Sequence, residues 1–167
     1  FFQGRRGCVN MGAVTIRRAS LLLLVIAAAA SAMVAVAPLD YGEELSRGIA
    51  RWIAAELGGA DLLSMSEDLE PGDLPGLWRC ASQRGSDSLI VVNCRYVDQR
   101  VWVELWGVAN GAIVASWSGL LAVTALPVEL PPALAGLLEE LGFGGFHPAT
   151  APTLDELMQL AAQGATP

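Results

Sequence analysis

"SLIVVNCRYVDQRVWVELWGVANGAIVASW", Ser88 to Trp117, reads as three consecutive β-strands. Ser88–Val97 is dense in β-branched residues, "VDQR" supplies a tight reversal, and Arg100–Val108 alternates. Asn110-Gly111 is the strongest short hairpin signal in the chain, and Ala112–Ser118 after it reads as a third antiparallel strand. Alternation sets Val101, Val103 and Leu105 on one face and Trp102, Glu104 and Trp106 on the other. Counting across the first turn directs Cys94 and Tyr96 inward and Arg95 outward. The meander therefore has one apolar face and one mixed face.

Helical patterns flank it. Asp40 and Glu43 have the spacing of a capping box, and Leu45, Ile49, Trp52, Ile53 and Leu57 recur at helical intervals until Gly58 and Gly59. Asp61–Ser66 is expected as a short strand. Asp73 can cap a second helix with Leu74, Leu77, Trp78 and Ala81 on one side and Gly85 as its stop. Beyond Leu121, Pro131 and Pro132 open a helix carrying Leu134, Leu137, Leu138 and Leu141. "GFGGF" follows that helix instead of leading into one, so its glycines read as a C-cap and turn and not as a phosphate loop. Thr153 caps a last helix with Leu154, Leu157, Met158 and Ala161. The expected fold is α/β (α+β): a mixed, largely antiparallel sheet with helices on one face, plus a C-terminal helical extension.

The run "SLLLLVIAAAASAMVAVA", Ser20 to Ala37, follows Arg5, Arg6, Arg17 and Arg18 and contains the small-residue pattern Ala30-Ser31-Ala32. These are the parts of a secretory signal, with a cut expected before Met33. A retained signal anchor is the alternative, since residues 20–37 as a helix reach about 27 Å, enough for a bilayer. The expected division is a leader at 1–37, an α/β domain at 38–121 and the extension at 122–167. The location is periplasmic or otherwise extracytoplasmic, with contact to membrane only through residues 20–37 if they stay uncleaved.

Beyond the leader stand six arginines against all 17 acids of the chain, a net charge of −11. A surface this acidic repels phosphate backbones, so no nucleic acid is expected as a partner. In an oxidising compartment Cys80 and Cys94 are a possible disulfide. Two cysteines and the single histidine, His147, do not make a four-ligand zinc shell, and no metal or cofactor is expected.

The stretches "EELSRGIARWIAAELG", "LPGLWRCASQRGSDSLIVV", "DQRVWVEL" and "ANGAIVASW" follow one another in an order that resembles the amino-terminal α/β domain of the TolB translocation protein and its FlgO and CsgG-like envelope relatives, over Tyr41 to Gly119. The resemblance implies a compact α/β module used for envelope protein contacts and assembly, and implies no reaction. The chain departs from that group in having no lipobox cysteine and no propeller repeats. Tryptophans also stand at 102 and 106, where relatives carry polar or basic side chains.

Enzyme chemistry has little to build on. The chain has no lysine and no serine in a nucleophile elbow, and Cys80 or Cys94 would need His147 from a distant segment. The expectation is a non-enzymatic binding or assembly module of the bacterial cell envelope that meets a protein partner. Trp102, Glu104 and Trp106 are its candidate binding residues; a glycan stacked on the same tryptophans is the alternative. The remaining possibility is that the two C-terminal helices fold back over that face and bury it.

Overall fold

A computed structural model of the chain describes residues 33–40, 42–58, 60–63, 70–148 and 151–163. The meander forms as β3 (Ser88–Val97), β4 (Arg100–Ala109) and β5 (Ala112–Ala122). Its turns are the expected ones. Asn110 and Gly111 both take positive φ, 53° and 77°, as a two-residue hairpin of matching twist requires, and Asp98 does so at 57° in the first turn. β5 runs four residues past the expected end at Ser118, to Ala122 opposite Arg100.

Two parallel strands complete a five-stranded sheet in the order β2-β1-β3-β4-β5. β1 is Val34–Pro38, and β2 is the two-residue Asp61–Leu62. The expected strand Asp61–Ser66 is thus shorter than its pattern, with residues 64–66 outside the described set. β1 straddles the expected boundary at residue 37 and begins just after the expected cut before Met33. Val34 to Ala37 are the apolar end of the leader run, yet they lie between β2 and β3 with every side chain buried. A strand flanked on both sides and covered on both faces has to be apolar throughout, so its composition cannot be told from that of a signal segment. Residues 1–32, which hold the rest of that run, fall outside the described residues. Among the described residues no helix is long and apolar enough to cross a membrane.

Among the described residues four α-helices pack around the sheet. α1 (Glu44–Glu56), α3 (Leu126–Glu140) and α4 (Leu154–Ala162) cover the face made by Val34, Val36, Ile90, Val92, Cys94, Val101, Val103 and Leu105. α2 (Leu74–Gln83) covers part of the other, where Leu77 and Ala81 meet Ala35, Ala37, Leu89, Val91 and Val108. The helical segment from 122 on packs into the sheet's core. Leu126, Leu130, Leu134, Leu138 and Leu157 are fully buried in the same core as β3 and β4.

Local signals and packing agree at most helix ends. Asp73 accepts from Gly76 N at 2.9 Å, and Thr153 with Glu156 forms a complete capping box. α2 and α3 both stop in glycine at positive φ, Gly85 and Gly142, with the paired closing bonds of a Schellman motif: Ser86 N to Ala81 O, and Phe143 N to Leu138 O. Two signals mislead. Asp40 does not cap α1; its carboxylate bonds Gly42 N at 2.7 Å, and Glu43 is the N-cap without a side-chain bond. α3 begins at Leu126, so Pro131 and Pro132 sit inside it. The helix tolerates the two missing N–H groups because Leu126 and Leu130 continue the buried stripe of Leu134 and Leu138 at four-residue intervals, and that burial outweighs the lost bonds.

Candidate functional site: the open end of the sheet

The register of the meander builds three rows across the face opposite α1, α3 and α4. Val91, Trp106 and Ser116 form one, Asn93, Glu104 and Ser118 the next, and Arg95, Trp102 and Leu120 the third. The C-terminal helices lie on the other side of the sheet. They do not fold back over Trp102 and Trp106, because their leucines are committed to Val101, Val103 and Leu105.

The two tryptophans have different neighbours. Trp106 packs at the margin of the α2 cluster, as does Trp78. Trp78 in turn lies against the hairpin turn, where a Cβ on Gly111 would stand 3.3 Å from its ring. Trp102 lies four residues further along β4, away from α2. Its cover is the Arg95 guanidinium, 5.9 Å from the ring centre, an arrangement the ring quadrupole favours. Its Nε1 is buried and has no hydrogen-bond partner. Between them Glu104 accepts a 2.7 Å bond from the Asn93 amide. Val97 and Leu120, 38% and 41% exposed, extend this end of the face as bare apolar surface. Trp102, Glu104 and Trp106 thus share a face as expected. Sequence reasoning missed Arg95 and Asn93 as their partners, although counting residues back from the two turns already places Arg95 opposite Trp102 and Asn93 opposite Glu104.

The cysteines are placed against the expected bridge. Both thiols are free. Cys94 belongs to the α1–α3–α4 core and Cys80 to the α2 cluster, with the sheet between them. β1 ends opposite Val92, so the Cys94 N–H has no strand partner; the buried Ser46 hydroxyl on α1 accepts it at 2.9 Å. Burial pushes the Cys94 thiol up from 9.0 to about 12, with Glu43 and Glu104 adding to the rise and Ser46 opposing it. At pH 8 a thiol reagent should label Cys80 in the native protein and leave Cys94 untouched until denaturant is added. Stability should follow the same group. The unfolded thiol ionises above pH 9 while the folded one stays protonated, so its contribution is present below pH 9 and is lost as pH rises toward 12. Denaturant titrations from pH 8 to 11 should fall more steeply for the native sequence than for Cys94→Ala, by up to about 1.4 kcal/mol per pH unit.

Tyr96 also departs from expectation. It shares the Cys94 side of β3 but is 49% exposed, because the strand there has run past the helices that cover Cys94. His147 is an exposed loop residue. Among the described residues no group of three or more His, Cys, Asp and Glu side chains is placed to hold a metal ion. Compared with models of known protein families and with curated proteins, the chain matches none.

Proposed function

We propose that the chain is an exported, non-enzymatic binding or assembly module of the bacterial cell envelope that works through protein contacts, as its resemblance to the TolB-like envelope domains implies. The observation that carries this reading is the open end of the sheet. There Arg95, Trp102, Val97 and Leu120 present a mixed aromatic, cationic and aliphatic surface that no described element covers. Tryptophan and arginine are the side chains that most often anchor protein interfaces, and bare apolar patches on a soluble domain mark such interfaces. A glycan has less to hold at the same place, since Arg95 already occupies the Trp102 ring and Asn93 the Glu104 carboxylate.

A photocrosslinking side chain in place of Ser118 should capture a discrete envelope protein, while the same group at Gln159, exposed on α4, should not. Capture from both positions alike, or from neither, overturns the reading. Titration with cell-wall fragments that shifts tryptophan emission, and does so no longer in Trp102→Ala, would replace the protein partner by a glycan. Oxidative footprinting of the free protein should rank Trp52, 4% exposed, as the best protected indole, ahead of the half-buried Trp102 and Trp106.

A further inference from the structure

β5 is an edge strand, paired with β4 on one side and with nothing on the other among the described residues. Over Ala112–Ala122 its sequence "AIVASWSGLLA" has no charge and no proline, and Ile113 and Val114 are 48% and 52% exposed. Sheet edges of this length and character are normally blunted by charge, proline or a bulge; one left bare is a template for another strand. The register shift in the β4–β5 ladder lies at Gly107/Val108, at the hairpin end, and leaves the ladder from Gly107–Ala115 onward regular.

α3 supplies a wall beside this edge. It starts just past Ala122 and ends with Leu141 against Gly107, the partner of Ala115, so it retraces β5 in the opposite direction. Between them runs a groove of about 290 Å³ whose floor is Trp117, Ala133 and Leu137 and whose rim carries Glu129 and Glu140. No arginine lines it. The two residues are about 16 Å apart along the helix axis; basic side chains four residues apart on an extended chain start about 13 Å apart, and their length covers the rest.

We propose that the β5 edge and this groove take an extended, basic polypeptide segment of a partner by strand addition. Its backbone pairs with β5. A single apolar side chain enters over Trp117, and lysines or arginines two residues to either side, on the same face, reach Glu129 and Glu140. A second copy of this chain is a poorer occupant because it brings the same uncharged strand and the same carboxylates to the contact, at a net charge of −11 beyond the leader. The site rests on the reading of the domain as a protein-binding module but lies on the helix side of the sheet, away from Trp102.

The test uses the full chain and a dye-labelled peptide, TTKTLTKTT, followed by fluorescence anisotropy. The peptide should bind with an affinity that falls as salt is raised. TTETLTETT should bind at least tenfold more weakly, and a version N-methylated at alternate residues should not bind. Glu129→Gln with Glu140→Gln should weaken binding about three- to tenfold. Gly136→Phe is the decisive variant: nothing lies within 4 Å of a Cβ there, so the ring fills the groove without disturbing the helix, and binding should be lost while the melting temperature is kept. Equal binding of the lysine and glutamate peptides, full binding of the N-methylated one, or full binding by Gly136→Phe overturns the proposal. So does a dimer of the chain alone that Gly136→Phe dissolves, which would make a second copy the occupant. If Ser118 captures a partner while the lysine peptide fails to bind, the edge site falls and the module reading stands; if both fail, both are lost.

Discussion

Removing Met33–Pro38 should abolish cooperative folding, whereas a chain that begins at Met33 should melt in one transition. β1 pairs with β2 on one side and β3 on the other, and Ala35, Val36 and Ala37 have no exposed surface. Val34 and Val36 belong to the α1–α3–α4 core, and Ala35 and Ala37 to the α2 cluster, so the strand ties the two halves of the interior together. Burying each valine stabilises by about 1.5–3 kcal/mol, and a domain has only about 5–15 kcal/mol to lose. The truncation also strips β3 of five paired residues on that side and leaves β2 without a neighbour. The two chains should be compared by near-ultraviolet circular dichroism and denaturant titration. A sigmoidal transition in the chain beginning at Leu39 would refute the placement of β1. The same comparison bears on processing: a cut before Met33 leaves the strand intact, and a cut after Ala37 destroys it.

Gly48→Ala should destabilise by about 2 kcal/mol, although alanine is the better helix former by about 1 kcal/mol. α1 and α4 cross at this residue, and a Cβ on Gly48 would overlap the Leu157 carbonyl. The obstacle is backbone, so no rotamer change relieves it; α4 must shift as a unit and lift the fully buried Leu157 from the core. Gly136→Ala is the matched control. Gly136 is also a helix-interior glycine but is exposed, with nothing near its Cβ, so the propensity gain should stand alone and raise stability by about 1 kcal/mol. The same chemical exchange in two helices should therefore move the denaturation midpoint in opposite directions. If Gly48→Ala stabilises as well, α1 and α4 are not in the close contact described.

The candidate site was half legible beforehand. Alternation alone puts Trp102, Glu104 and Trp106 on one face, and the two hairpin turns fix which β3 residues oppose them. What covers each tryptophan was not legible, because it depends on where α2 lies. Trp78 was readable as part of the buried side of α2, but its place against Gly111 is a contact between elements far apart along the chain. The disulfide failed for a related reason. Cys80 and Cys94 lie close along the chain, and a sheet runs between them.

Elements whose causes are local are legible in the amino-acid order: the hairpin at Asn110-Gly111, the caps at Asp73 and Thr153, the glycine stops of α2 and α3, and the alternating faces of β4. Each depends on backbone conformations or hydrogen bonds within a few residues, which the same few side chains decide. Long-range packing, by contrast, makes Val34–Pro38 a central strand, carries α3 through its own prolines, and sets the C-terminal helices on the aliphatic face, leaving the tryptophans to α2 and Arg95. Those outcomes turn on which apolar surfaces remove most of each other from water, and burial is non-directional, so a hydrophobic run alone does not say what it will be buried against.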